Sequence, residues 1–131
     1  MIERLPELVN GDAALVRRGR YFTADFLVAV GSDEYLVCVV EGRIQAVERG
    51  PFLMRSWTFA IRAPAEAWAR FWEPLPAPGY HDLFAMTKSG VARIEGELHP
   101  LMANLRFVKE LLEAPRWMVA RAARAGSTAH A

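Results

Sequence analysis

The stretch that decides the fold is DLFAMTKSGVARIEGELHPLMANLRFVKELLE, residues 82–113. It predicts a short helix, a break at Gly90, a half-buried strand and a long amphipathic helix. In VARIEGEL, Ala92 and Ile94 face one way and the charged residues face the other, which is typical of a strand. Pro100 suits a first helical position, and apolar residues then recur at helical spacing. This much apolar surface with so little reactive chemistry favours a protein that holds something apolar.

The rest of the chain extends the same pattern towards the N-terminus. Asn10-Gly11 separates two short helical turns within the first twenty residues. The hydrophobic period then changes to two, and a tight return at Gly42 predicts an antiparallel meander of three strands. Pro115 is expected to end the last helix. The predicted strands are 22–30, 34–41, 43–49, 55–63 and 91–98, and the predicted helices after the meander are 64–72, 81–89 and 99–114.

Length and composition fit one globular domain. The chain has 131 residues, of which 53% are hydrophobic and 24% charged, so it is not of a disordered type. Its net charge of +1 gives no electrostatic case for a nucleic-acid partner. We therefore predict a single domain over residues 1–131, with its core at about residues 20–114 and a C-terminal tail at 115–131.

Four local patterns resemble the sterol carrier protein 2 family, also called the sterol-transfer-like domain. The first is the meander FLVAV…YLVCVVEGRIQAVERG, and the second is a strand that runs directly into PAEAWARFW. The third is DLFAM followed by a glycine, and the fourth, the most specific, is VARIEGELHPLMANLRFVKELL. Together they cover roughly residues 20–114. The order and spacing of all four carry the resemblance, because no single pattern is diagnostic.

The resemblance implies both a fold and a function. The implied fold is α+β, with a five-stranded mixed sheet covered on one face by helices. A hydrophobic tunnel between the sheet and the helices would take a fatty acyl chain, a sterol or a similar lipid. The implied activity is non-catalytic lipid binding or transfer, with no cofactor. Arg62 and Arg106 are candidates to meet a polar headgroup at the tunnel mouth.

The candidate ligand-binding residues are apolar side chains on the predicted helices. Each one taken alone fits an ordinary core position, since such stripes normally fill interiors. Their functional case is collective, because they supply more apolar surface than one sheet face needs. The nine candidates are Trp68, Phe71, Trp72, Phe84, Met86, Leu101, Met102, Leu105 and Val108.

Reactive residues form no catalytic pattern in the sequence. Cys38 lies in the apolar run YLVCVV, which favours a buried structural thiol over a nucleophile. His81 and His99 lie where helix caps are expected, and His130 lies in an end that we expect to fray. No His or Cys pair has metal-ligand spacing. We therefore expect no enzyme activity, no metal and no cofactor.

Two alternatives stay open at this point. One is an enzyme with a small cone-shaped α+β barrel of the nuclear-transport-factor-2-like kind. It would need a buried acid with a shifted pKa, for which Asp25 is the strand-borne candidate. The other is an accessory module whose apolar groove binds a partner protein or a second copy of the chain, as a homodimer.

The sequence also allows predictions about the cellular compartment and the C-terminal tail. A single cysteine favours a reducing compartment, and no stretch has the apolar length of a membrane span, so the sequence predicts a cytoplasmic protein. The tail 115–131 contains arginines and no acid. It is read either as a cover over the tunnel mouth, which could also touch a membrane surface transiently, or as a frayed end.

Overall fold

Five strands form one mixed sheet in the order β3–β2–β1–β4–β5. β1 pairs antiparallel with β2 and parallel with β4, while β2–β3 and β4–β5 are antiparallel pairs. The structure, a computed structural model, describes the backbone of residues 1–129 and the side chains of residues 1–122. The predicted α+β class with a five-stranded mixed sheet is confirmed. The strands are β1 (Ala24–Val30), β2 (Asp33–Val40), β3 (Arg43–Arg49), β4 (Phe59–Ala63) and β5 (Arg93–Gly96).

One face of the sheet is covered by helices, as predicted. Alternate residues of the central strands point to this face, because side chains alternate across a strand. They are buried together with the inward residues of the helices in one continuous apolar cluster. The stacked rings of Phe26 and Phe59, with centroids 5.0 Å apart, join β1 to β4 inside this cluster. The sheet residues of the cluster include Phe26, Val28, Tyr35, Val37, Val39, Ile44, Phe59, Ile61 and Ala63.

The opposite face, called here the outer face, has an apolar centre and a charged margin. Leu27 and Leu36 are paired across β1 and β2 and are fully buried at its centre. At the margin Arg62 is bound by Glu34 at 2.9 Å and by Glu95 at 3.0 Å. The helix-covered face therefore has the larger apolar layer, and the outer face carries the ion pairs.

The connection between β3 and β4, residues 50–58, crosses the outer face. Arg55 donates two hydrogen bonds, both 2.9 Å, to Glu48, which is paired with Leu36 on that face. The backbone N–H of Thr58 donates to the carbonyl oxygen of Asp25 at 2.8 Å. This crossing uses residues that the alternation assigned to a strand, so β4 begins at Phe59 instead of residue 55.

Two short helices, α1 (Leu5–Asn10) and α2 (Ala13–Arg18), follow a 3-10 turn at Ile2–Arg4. The Asp12 side chain caps α2 by accepting from the N–H of Leu15 at 3.2 Å. The side-chain amide of Asn10 accepts from the N–H of Ile44 at 2.8 Å and donates to the carbonyl of Ile44 at 2.9 Å. Because β3 is an edge strand, this amide occupies backbone groups that would otherwise be open to another strand.

The last part of the chain differs from the predicted single helix at 99–114. A break at Asn104 separates two helices, and the Asn104 side chain donates to the carbonyl of Pro100 at 3.1 Å. Pro115 does not end the second helix but lies inside it. The remaining helices are α3 (Ala65–Phe71), α4 (Leu83–Lys88), α5 (His99–Ala103) and α6 (Leu105–Ala129).

The interior of the molecule explains why α6 continues past its proline. Pro115 has no N–H for the carbonyl of Leu111, which normally favours a break. Ala114, Pro115 and Arg116 are nevertheless buried, so packing holds this turn in helical form. The start of the predicted tail at 115 is therefore part of the fold, whereas His130 lies outside the described residues.

Over residues 1–129, no helix combines the length and apolar character that crossing a membrane requires. Among the side chains of residues 1–122, no group of three or more His, Cys, Asp or Glu has an arrangement suited to a metal ion.

Candidate functional site

The candidate site is the apolar layer between the helix-covered face of the sheet and the helices α3 to α6. Pro64 precedes α3, and Glu66 in its first turn suits the helix dipole, so the chain turns directly from β4 into this layer. Trp68, Phe71, Leu101 and Val108 have no exposed surface. Each comes from a helix that presents one apolar side to the sheet, which is the arrangement the helical spacing predicts.

Three aromatic rings form the centre of the α3 contribution. Trp68 and Trp72 stack with centroids 5.3 Å apart, and Phe71 meets Trp68 edge-on at 5.4 Å. The indole N–H of Trp68 donates to the carbonyl of Ala29 at 2.9 Å, and that of Trp72 donates to the carbonyl of Leu112 at 2.8 Å. Both polar ends are thus satisfied, as buried tryptophans require, and the rings are fixed to β1 on one side and to α6 on the other.

Seven of the nine sequence-predicted residues meet in this layer. Six of these seven are buried, and Leu105 packs against them partly buried. Phe84 is half-buried and lies outside the cluster, beneath the Lys109 ammonium at 5.7 Å. The six buried residues are Trp68, Phe71, Trp72, Met86, Leu101 and Val108.

Met102 is placed differently from its prediction. Its side chain is 54% exposed, whereas Leu101 beside it is fully buried. The prediction assumed one continuous helix from 99 to 114, so that 102 and 105 shared a stripe. The break at Asn104 ends that register, and Met102 turns to solvent.

The centre of the layer is tightly packed in this structure. Trp68, Phe71, Leu101 and Val108 each have an exposed fraction of 0%. The clefts near α6 instead open to solvent. One of about 250 Å³ lies between α1, α2 and α6, and a second of about 450 Å³ runs along α6 beside Leu105 and Arg106. The implied tunnel stays a prediction, and a ligand that enters between these side chains would have to separate them.

Arg116 is the feature of this layer that the sequence did not reveal. Only 6% of it is exposed, and its Nε and Nη2 donate to the carbonyl of Phe71 at 2.9 and 2.6 Å. Nη2 also donates to the carbonyl of His81 at 3.2 Å, and the guanidinium lies 4.9 Å from the Phe71 ring centroid. Burial lowers the pKa of Arg116, opposed by the nearby charge of Glu113.

Glu113 is the acid nearest to this arginine. It lies 3.8 Å from the Arg116 Nη1, too far for a short hydrogen bond. Burial raises the pKa of the Glu113 carboxyl, and the Arg116 charge lowers it to a smaller extent. Burial against the helix layer is thus the main influence on the pKa of this carboxyl.

The two predicted headgroup arginines do not line the layer. Arg62 is on the outer face, where Glu34 and Glu95 bind it. Arg106 is largely exposed and pairs with Glu110 at 3.0 Å, one turn further along α6. The alternation of β4 could have shown this for Arg62, because Ile61 and Ala63 on either side of it face the helices.

The residues with reactive side chains also lie outside the layer. Asp25 is exposed and shares the outer face with Cys38, its partner across β1 and β2. Burial raises the pKa of the Cys38 thiol, and the nearby Asp25 carboxyl adds to that shift. His81 and His99 are exposed.

The fold has close counterparts among solved structures. The crystal structure of a sterol carrier protein 2 superposes with a TM-score of 0.70 at 14% identity, over 88% of this chain and 92% of that one. The sterol carrier protein domain 2 of Helicoverpa armigera gives 0.60 at 13% identity, over 86% and 84%. A UbiJ-SCP2 ubiquinone synthesis protein gives 0.57 at 17% identity, over 88% of each chain.

These likenesses define the class of the fold. A five-stranded mixed sheet with helices packed on one face is shared over most of each chain. The chain has a sterol carrier protein 2-like fold, as the sequence resemblance predicted. No protein-family model and no curated protein sequence matches it.

Proposed function

We propose that this protein binds an apolar ligand, a fatty acyl chain, a sterol or a similar lipid, between the sheet and the helices, and carries it without chemical change. The observation that carries the proposal is the continuous apolar layer of seven predicted residues against the sheet, in a sterol carrier protein 2-like fold. One of the similar solved structures is named a sterol carrier protein, and we propose a related function for this chain.

The energetics of an alkyl ligand suit such a layer. Burial of each CH2 group contributes about 0.8 kcal/mol, so a long chain needs no strong polar contact. The ligand would replace side-chain contacts that it breaks on entry, and Met86 within the layer is flexible enough to repack. Binding would therefore be accompanied by displacement of helices from the sheet.

The enzyme alternative has less support. A cone-shaped barrel enzyme of the kind considered above needs an acid that faces the helix-covered pocket. Asp25, its candidate, is exposed on the outer face. The longest helix is also the last element, whereas that barrel expects its long helices before the sheet.

A matched pair of arginine substitutions tests the site. Leu105→Arg places a charge against the apolar layer, whereas Met102→Arg places one three residues earlier on an exposed position. In a titration with a fluorescent fatty acid, Leu105→Arg should weaken binding at least about tenfold, because a partly desolvated charge replaces an apolar contact with the layer. Met102→Arg should bind like the wild type.

Circular dichroism and thermal melts of both variants provide the folding control. Binding by folded Leu105→Arg that equals the wild type would remove the site from this layer. Turnover of a lipid ester or an acyl-CoA that disappears in Asp25→Ala, His81→Ala or His99→Ala would support the enzyme alternative instead.

The proposed partners follow from the same function. A carrier must take its ligand from a membrane and deliver it, so we expect brief contact with vesicles during transfer. Transfer of a fluorescent fatty acid between two vesicle populations should accelerate in proportion to protein concentration. Homodimer formation stays a prediction from the sequence, which sedimentation analysis can check.

A further inference from the structure

Residues 72–82, which connect α3 to α4, form a strap across the helix layer. Both of its ends are attached to the same helix, α6. At one end the Trp72 indole N–H donates to the carbonyl of Leu112 at 2.8 Å. At the other end Asp82 accepts from the Lys109 ammonium at 3.0 Å. These attachments lie at positions 109 and 112 of α6, which are neighbours on one side of a helix.

Arg116 adds an attachment that spans the whole strap. Its guanidinium donates to the carbonyl of Phe71, just before the strap, and to the carbonyl of His81, near its other end. One buried side chain thus joins α6 to both ends of the connection. Hydrogen bonds from a charged donor are stronger than neutral ones, and their value rises where water is excluded.

The middle of the strap, residues 73–79, has few attachments of its own, whereas Tyr80 after it packs partly buried against the apolar cluster. Residues 73–75 and 77–78 are exposed, and Leu75 is 90% exposed. The hydrogen bond from the N–H of Tyr80 to the carbonyl of Ala77 is internal to the strap. Three prolines, Pro74, Pro76 and Pro78, stiffen this part. A stiff segment that is held at its ends moves as a unit when those ends are released.

The packed layer lies directly inside the attached ends. Phe71 and Trp72 belong to it, and Leu83 and Met86 follow the strap at its α4 end. The sheet side of the layer is closed by continuous strand pairing, and α1 packs against both β3 and α6. The strap therefore forms one boundary of the layer, and a few side-chain hydrogen bonds hold this boundary in place.

We propose that the strap 72–82 is the entry gate for the ligand and that Arg116 is its latch, so that release of the two carbonyls from Arg116 lets the α3–α4 connection lift away from α6. This inference rests on the proposed function, and it adds where the ligand enters and which residue controls the rate. Arg116 acts here as a positioning residue, since it binds backbone carbonyls.

Hydrogen exchange without any ligand tests the latch. Arg116→Met keeps an apolar stem and removes all donors, and Arg121→Met, at an exposed position five residues later in α6, is the matched control. In Arg116→Met, the hydrogen-bonded amides of Trp72, Tyr80 and Met86 should exchange about tenfold faster or more, because a charged bond to buried carbonyls is lost. Amides of β1 and β2 should keep wild-type rates, and Arg121→Met should match the wild type throughout.

Trp72→Phe supplies a second variant in case Arg116→Met folds poorly. It keeps an aromatic ring in the layer, and it removes the donor to Leu112 together with part of the ring volume. Its strap amides should also exchange faster, by a smaller factor. Strap exchange that stays at the wild-type rate in both folded variants would overturn the latch, as would equal acceleration in the sheet.

Stopped-flow mixing with a fluorescent fatty acid then tests the gate. Arg116→Met should speed both association and release severalfold, while Arg121→Met leaves both unchanged. Faster strap exchange with unchanged ligand rates would place entry elsewhere and overturn the gate. If the wild-type protein binds no fatty acid, the proposed function fails, and the ligand-free exchange result separately decides the latch.

Discussion

Single residues set several features of this molecule through their immediate surroundings. Arg116 is buried because two backbone carbonyls and an aromatic face replace the water that its guanidinium would otherwise need. Asp25 and Cys38 are on the outer face, where the raised pKa of the thiol lowers its reactivity at neutral pH. The chemical role of a residue here depends more on which face it occupies than on its type.

Gly42 offers the clearest test at this scale. Its φ is +81°, and a Cβ there would lie 2.5 Å from the carbonyl oxygen of Val16. Gly90 has a nearly equal φ of +82° but open space around the added atom. Gly90→Ala should therefore cost about 1–2 kcal/mol for the backbone conformation alone.

Gly42→Ala should cost the same amount and about 1–3 kcal/mol more for the collision with packed backbone. Urea unfolding of both variants measures the difference in the free energy of unfolding. Equal losses in the two variants would mean that α2 yields freely at this contact and that only the backbone conformation matters.

At the scale of elements, the edge strand β3 and the helix break at Asn104 affect how the predicted segments assemble. β3 is an edge strand whose backbone at Ile44 is occupied by the Asn10 amide. The helical pattern predicted over 99–114 was divided at Asn104 and extended through Pro115, since burial of the following turn outweighs a missing hydrogen bond. Packing thus overruled the local signal for a helix end at Pro115.

Asn10→Ala tests whether the amide stabilises the α1–β3 contact. It leaves the N–H and the carbonyl of Ile44 without their partners, so the free energy of unfolding should fall by about 1–3 kcal/mol. Gln45→Ala, at an exposed position of the same strand, should change it by less than about 0.5 kcal/mol. Thermal and urea unfolding measure both. A loss in Asn10→Ala no larger than in Gln45→Ala would show that water replaces the amide at no cost.

At the scale of the whole molecule, the sheet divides the protein into a packed layer and a charged outer face. The parallel β1–β4 pair requires a crossing connection, and residues 50–58 make it over the outer face. This route leaves the other face free for helices α3 to α6. The candidate site is therefore a consequence of topology, since the crossing and the helix layer occupy opposite faces.

Native-state hydrogen exchange should follow this division. The amides of β1 should be the slowest, because β1 is central, is paired on both sides, and contains the fully buried Leu27 and Val28. The amides of 50–58 and of Leu75 and Ala77 in the strap should be among the fastest in residues 1–122, because the ends of these segments, not their middles, carry most of their attachments. Exchange in β1 as fast as in β5 would contradict this order.

The sequence by itself determined the element order, the α+β class, the resemblance to sterol carrier protein 2 and most of the apolar layer. Periods of two and of 3.6 report which face of an element is buried, and Trp68, Phe71, Met86 and Val108 obey them. These features depend on residues that are close together in the chain, so the sequence was sufficient to predict them.

The tertiary structure alone decided the rest. It placed Arg62 on the outer face, turned Met102 to solvent, carried α6 through Pro115 and made Arg116 a buried link between elements. Each of these depends on contacts between residues far apart in the chain, such as Arg116 with Phe71 and Asn10 with Ile44. Local periodicity contains no information about such partners, because their energy arises only when the elements pack.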